Sequence, residues 1–377
     1  MLKINRRKFI ILTAASAVTT SAVGWAIAQN KKTPFNSQTS SKLHKSANGL
    51  LELDLEASLN SLNLGGKQAY LLSYNGQVPA PRLEAKPGDT VRIRFTNNLS
   101  QPTNLHYHGL HVSPAGNADN PLLNIPPKER LIYEFTIPKN HPSGTFWYHP
   151  HHHGMVAEQV FGGLAGLLII RGELDEIPEI KAAKEEFLVL QDFGLDGNGN
   201  IQPPNHMTMM MGREGQILTV NGQINPNLSI AKGGLLRLRI VNASPSRFYR
   251  LALENHPFYL IATDGGGLDT PVELKELLLS PGERAEVLVR GEREPSQYRL
   301  WNLPYDRGGM GMMGDGMGMM GGGMGMMGNS SQRNPQVLVT VTYQGSVSRL
   351  PLPQKLIPVE TLPEPKAVRG FELSMDM

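Results

Sequence analysis

The chain has 377 residues with 36 Lys and Arg against 33 Asp and Glu, a net charge of +3, and no cysteine. Four basic side chains and no acid lie within residues 1–28, so the remainder carries about −1 and gives no case for nucleic-acid binding. The absence of cysteine excludes disulfides and any thiolate-ligated metal within these residues.

Taken in chain order, residues 1–28 read as a twin-arginine-like export signal. Lys3, Arg6, Arg7 and Lys8 precede a modestly apolar stretch that ends in Ala26-Ile27-Ala28, a small-residue cleavage pattern. The expected destination is the periplasm or an equivalent lumenal compartment. Residues 29–49, rich in Lys, Ser and Thr, read as a disordered linker. Beyond them, "TVRIRFTNN", "LIYEFTIP", "LAGLLII", "EFLVLQDF", "LLRLRIVN" and "QVLVTVTY" are short β-branched or aromatic runs punctuated by Gly, Pro, Asn and Asp. This pattern predicts an all-β protein made of sandwiches.

An internal repeat divides it. "YNGQVPAPRLEAKPGDTVRIRFTNN" from Tyr74 matches "VNGQINPNLSIAKGGLLRLRIVNAS" from Val220 in its Asn-Gly-Gln turn, its Lys, the Gly two residues later, its Arg-x-Arg strand and its closing Asn. Asn75 and Asn221 stand 146 residues apart and Asn97 and Asn242 145 apart, too far for a solenoid unit. The repeat predicts a duplicated domain: domain one over 50–172, domain two over 173–350, and a Pro-rich linker over 351–377.

Domain one holds two His-x-His units, His106-Tyr107-His108 and His149-Pro150-His151. Alternate strand residues face the same way, so adjacent strands would present four imidazoles together. Imidazole suits copper, zinc and nickel, with copper bound most tightly. Domain two carries a Met/Gly-rich insertion over 306–330. Its Met310, Met312, Met313, Met317, Met319, Met320, Met324, Met326 and Met327 offer soft thioethers suited to Cu(I). Met207, Met209, Met210 and Met211 follow His206 in loop-like surroundings and are candidates for the same surface. "DGNGN" at Asp196 lacks the glycine and the closing acid of a calcium loop and reads as a hairpin turn.

"TNLHYHGLH" and "TFWYHPHHHG" resemble the first two copper motifs of multicopper oxidases, the laccase and cuprous-oxidase group; the leader, the repeat and "HPFYLIATDGG" fit the same group. The resemblance implies tandem cupredoxin-like Greek-key β-sandwiches and copper as cofactor. It also implies an oxidoreductase in which a type-1 copper takes electrons from a small reductant and a three-copper cluster reduces O2. It implies His106 as a type-2 copper ligand, His108 and His149 on one type-3 copper, His151 on the other, and Asp119 as a candidate proton relay. His111, His152 and His153 receive no ligand role. The family's third domain brings a His-Pro-x-His-x-His motif and a His-Cys-His motif, and neither occurs in this sequence. In "HPFYLIA", Tyr259 and Ile261 stand where the first of these would need His. The expectation is half a copper cluster that is inactive alone and is completed by a partner chain; a homo-oligomer is the other association expected. The alternative is a non-catalytic Cu(I)-sequestering module.

Overall fold

The computed structural model describes residues 42–306 and 334–372. The export signal and Met310–Met327 lie outside the described residues.

The first sandwich is built from β1 (Leu43–Lys45), β2 (Leu50–Leu64), β3 (Lys67–Tyr74), β4 (Arg82–Ala85), β5 (Thr90–Asn97), β6 (His106–His108), β7 (Arg130–Thr136), β8 (Gly144–His149) and β9 (Gly166–Ile170). One sheet has the order β3-β2-β5-β7 and the other β1-β4-β9-β8-β6. In β5, Val91, Ile93 and Phe95 point inward and Arg92 and Arg94 outward, the alternation expected of a half-buried strand. Their buried partners include Leu51, Leu53, Tyr107, Tyr133 and Phe146. The helix α1 (Val156–Phe161) lies between β8 and β9, and the short helices α2 (Glu173–Glu176) and α3 (Pro178–Ala182) lead into the second sandwich.

That sandwich comprises β10 (Lys184–Phe193), β11 (Ile217–Val220), β12 (Asn227–Lys232), β13 (Leu235–Asn242), β14 (Tyr249–Leu253), β15 (Phe258–Thr263), β16 (Gly266–Leu274), β17 (Leu277–Leu279), β18 (Arg284–Arg290), β19 (Gln297–Leu303) and β20 (Gln336–Ser346), with α4 (His206–Met211) on the β10–β11 connection. Its sheets run β11-β10-β13-β18-β15-β16 and β12-β20-β19-β14-β17. Among the described residues no helix is long and apolar enough to cross a membrane.

The repeat is visible atom by atom. Asn75 and Asn221 both have positive φ, 52° and 53°, and each is followed by a positive-φ glycine, the conformation that Asn-Gly turns provide. Asn75 Oδ1 accepts from Glu56 N and its Nδ2 donates to Asp54 O. Asn221 does the same with Val189 N and Phe187 O. At the far end, Asn97 Nδ2 donates to Gln101 O and Ile125 O, and Asn242 Nδ2 to Arg247 O and Leu279 O. Each pins its strand end to two loops. The strands obey the same equivalence: β2 runs parallel to β5 as β10 does to β13, and β5 antiparallel to β7 as β13 does to β18.

Two expectations change. The disordered linker was expected to reach residue 49, but Leu43–Lys45 pairs in parallel with Arg82–Glu84, because β4 otherwise leaves one sheet edge bare. Between the loop-like flanks, residues 206–211 form a helix: Asn205 Oδ1 accepts from Thr208 N and Thr208 Oγ1 from Asn205 N, a reciprocal cap. The residues after Leu350 begin docked. Leu356 N and Ile357 N donate to Asp269 O and Leu268 O, and Leu356 is buried beside Leu174 and Ile261. The Asp196 hairpin forms as expected and extends to the first sandwich, where Gly199 O accepts from Tyr70 N.

Candidate metal centre

β6 and β8 pair antiparallel with His106 opposite His149 and His108 opposite Trp147. Tyr107, between the two histidines, points into the core and is fully buried, so both imidazoles face the other way. The second unit differs from the strand expectation. His149 is the last residue of β8 and Pro150 ends the strand, so His151 reaches the site from a loop. That loop is held by the buried Asn104, whose Oδ1 accepts from His151 N (2.7 Å) and whose Nδ2 donates to Pro121 O and Leu123 O.

Donor nitrogens of His106, His108 and His149 all lie within 4.8 Å of one another. His151 stands at the rim, exposed, its ring 5.1 Å from that of His106 and 6.3 Å from that of His149. Hydrogen bonds orient each ring. His106 Nδ1 donates to Asp119 Oδ1 (2.8 Å), which leaves Nε2 free. Asp119 is buried and also accepts from Tyr107 N (2.9 Å), so one carboxylate fixes both the strand and the imidazole. His149 Nδ1 donates to Pro150 O (2.9 Å), again freeing Nε2, which lies 3.2 Å from His108 Nδ1. Trp147 backs the pair, stacked on His149 at 4.0 Å and on His108 at 5.1 Å.

Burial, with the positive charge of Arg284 added, pushes His108 down to about 4. Burial also holds His149 well below the ordinary histidine value, with His106 contributing. Both imidazoles are therefore neutral at pH 7, the state a metal ligand needs. Three convergent, hydrogen-bond-oriented imidazoles, two of them held neutral by burial, fit a copper ion.

The other histidines sit apart. His111 is exposed, and its backbone N donates to Nε2 of the buried His141 (3.0 Å), which in turn donates through Nδ1 to Pro142 O. His152 is held by Asn124 Oδ1 (3.2 Å), His153 is exposed, and His256 is buried in domain two against Tyr343 Oη (2.8 Å). Gly109 and Gly154 both have positive φ, but only Gly109 is a close-approach glycine: a Cβ there would meet Arg284 Nη2, whereas nothing lies near Gly154.

Domain two forms the outer wall of the site. A cluster of Trp147, Ala165 and Leu167 with Val189, Val241 and Ala243 joins the two sandwiches behind the histidines. Beside it, Thr145 Oγ1 of β8 donates to Glu286 (2.7 Å), and Arg239, fully buried, binds Glu286, Glu185 and Asp175. The sequence alone did not reveal these residues, because nothing local marks them until the two sandwiches meet.

Family models described as multicopper oxidase match residues 57–175 and 182–315, most of each sandwich. The chain belongs to the multicopper oxidase family. It is 36% identical to a Staphylococcus haemolyticus protein named multicopper oxidase mco over 58% of this chain and 48% of that one. It is 32% identical to the cell division protein FtsP of Xenorhabdus nematophila, over 76% of this chain and 60% of the relative. The solved structure of a Campylobacter jejuni multicopper oxidase, described as a metallo-oxidase, superposes with a TM-score of 0.73 at 31% identity, covering 89% of this chain and 66% of that one. This multicopper oxidase family chain thus spans about half to two thirds of the length of these relatives. Its sandwiches are cupredoxin-like, and copper is the metal its family implies.

Proposed function

We propose that this chain is an exported copper-binding protein in which His106, His108 and His149, with His151 at the rim, hold copper as one half of a larger cluster. The carrying observation is the convergence of three imidazoles whose donor nitrogens lie within 4.8 Å of one another. Copper held by these imidazoles would supply one-electron redox chemistry. The chain's own part is to orient ligands and protons: Asp119 fixes the His106 ring, a contact that supports reading it as a proton relay. Electron entry through a thiolate-ligated copper would need a cysteine from outside these 377 residues, since they contain none. O2 reduction at the expense of Cu(I), another metal ion or a phenol therefore requires further ligands from a different partner chain or from additional sequence. The basic pair Arg6-Arg7 and the small-residue site before Gln29 support export.

Cu(II) titration of the full chain tests this. Binding should show weak d–d absorption without an intense blue band, and it should disappear in a His106→Ala, His108→Ala, His149→Ala triple variant. A chain that binds no Cu(II), or binds it equally in that variant, would sink the proposal. The second reading, Cu(I) sequestration without turnover, rests on the nine methionines from Met310 to Met327. It predicts tight Cu(I) binding that survives the triple His variant.

A further inference from the structure

We infer that Arg284, in domain two, is a positioning residue for the His108–His149 pair, acting across the domain boundary through the turn that carries Gly282. This rests on the copper reading above and adds a residue of the second sandwich to the site.

Arg284 opens β18, and its side chain is almost fully buried. Its guanidinium reaches three backbone carbonyls near the two histidines, those of Thr145, Asp264 and Gly282. Nε donates to Thr145 O (3.3 Å), four residues before His149 in β8. Nη2 donates to Asp264 O (3.1 Å) and occupies the space beside Gly109, the residue after His108; a Cβ on Gly109 would lie 2.3 Å from it. Nη1 donates to Gly282 O (3.3 Å). Gly282 has φ of +83°, and a Cβ there would stand 3.1 Å from His108 Cε1 and 3.8 Å from Trp147 Cζ2. The turn is therefore pressed against the free edge of the His108 ring, whose other flank is Trp147.

Asp264 fixes the arginine in turn. Its carboxylate takes Arg284 N (2.8 Å) and Nη1 (2.5 Å), so the guanidinium cannot swing away without breaking an ion pair. Glu286, two residues along the same strand, accepts from Thr145 Oγ1 (2.7 Å). One edge of β18 thus holds Thr145 by its carbonyl and by its hydroxyl. A lysine could replace the charge but not these forked donations to three carbonyls. Removing the fork frees the Gly282 turn and one flank of His108, with no ligand nitrogen altered.

The test compares Cu(II) affinity and stability of the full chain in wild type, Arg284→Gln, Arg284→Lys, and Phe193→Leu. Phe193 lies in the apolar contact between the sandwiches that includes Leu62, Leu71 and Val78, away from the histidines, and reports general weakening of the interface. Loss of an outer-shell support costs about 10- to 100-fold in metal affinity. The expected result is a Cu(II) Kd raised roughly tenfold in Arg284→Gln, less in Arg284→Lys, and unchanged in Phe193→Leu. Wild-type affinity in Arg284→Gln overturns the inference, as does an equal loss in Phe193→Leu at equal destabilisation. If Arg284→Gln does not fold, Arg284→Lys and Asp264→Asn decide by the same comparison. If wild type itself binds no Cu(II), the copper reading fails, and 15N spectra of labelled histidine in the metal-free protein decide the positioning. His108 should then show one fixed tautomer in wild type and an averaged one in the variants, and identical spectra would overturn the inference.

Discussion

Replacing Arg239 with Met tests what holds the two sandwiches in register behind the histidines. Arg239 is fully buried in β13, with Nε on Glu185 (2.6 Å), Nη1 on Glu286 (2.5 Å) and Nη2 on Asp175. Arg237 shares Glu286 (2.6 Å) and Asp175 (2.7 Å), and Arg171 binds Glu185 through both nitrogens at 2.8 Å. Three guanidiniums face three carboxylates, and Glu84 is served in addition by Arg82 and Lys45. The variant leaves three carboxylates with two arginines in a water-poor interface. Breaking a buried pair by removing one partner costs about 3–5 kcal/mol, because the stranded charge loses its solvation as well as its partner. At about 2–3 °C per kcal/mol for a protein of this size, the apparent Tm should fall by roughly 6–15 °C in a thermal melt at pH 7. The pH dependence carries a second signature. Burial alone would raise Glu185, but the Arg171 hydrogen bonds and the charge of Arg239 outweigh it and bring it down to about 2; Arg239 and Arg237 depress Asp175 and Glu286 against the same burial. A depressed carboxylate contributes stability that is complete above its unfolded pKa and is lost as pH falls through its folded one. Wild type should therefore lose stability progressively from about pH 4.5 towards pH 2, and Arg239→Met should have a shallower acid limb. A melting point within 2 °C of wild type, or an unchanged acid limb, would refute this account.

Three further outcomes are expected. Asp119→Ala, which removes the acceptor from His106 Nδ1 and Tyr107 N, should weaken Cu(II) binding about 10- to 100-fold by isothermal titration while the apo fold persists. Deleting 310–327 should abolish high-affinity Cu(I) binding, read by competition with a chromogenic chelator, and leave Cu(II) binding at the histidines unchanged. Asn75→Ala and Asn221→Ala each remove two hydrogen bonds at a positive-φ turn residue, so each should cost about 1–3 kcal/mol in urea unfolding. The two sites lie in different sandwiches, so the double variant should be additive within about 0.5 kcal/mol.

Much of this was legible before folding, and the reason is locality. The six apolar runs became strands because a β-branched alternation bounded by Gly, Pro or Asn leaves little else for the chain to do. The Asn-Gly-Gln repeats became turns because Asn and Gly accept φ above zero. His106 and His108 share a face by pleat geometry alone. What stayed hidden depends on partners distant in sequence. Leu43–Lys45 forms a strand only because β4 offers it an edge, and nothing in "LHK" announces that. His151 enters from a loop because Asn104, 47 residues away, holds its backbone. Asp119 was read as a relay from its position, whereas its hydrogen bonds to His106 and Tyr107 also make it the brace of the first His-x-His unit.

The Arg-x-Arg strand shows how one local motif takes two fates. In β5, Arg92 and Arg94 lie on the open face of their sheet, 39% and 46% exposed, paired with Glu134, Glu52 and Asp54. In β13, Arg237 and Arg239 occupy the equivalent face at 3% and 0%, because β8 of the first sandwich covers it. The duplicated face is thus bare in one copy and a docking surface in the other, and only the second ties the histidine strand to its neighbour. The physical difference is solvent: an exposed pair gains modest Coulomb energy and is screened, whereas a buried one cannot be broken without stranding a charge. Arg94→Met should accordingly cost no more than about 1 kcal/mol and leave Cu(II) binding untouched, although it deletes the same side chain from the same position of the repeat as Arg239→Met. If the two variants destabilise equally, burial is not what separates the copies, and the interface must be held chiefly by its apolar cluster around Trp147 and Val189.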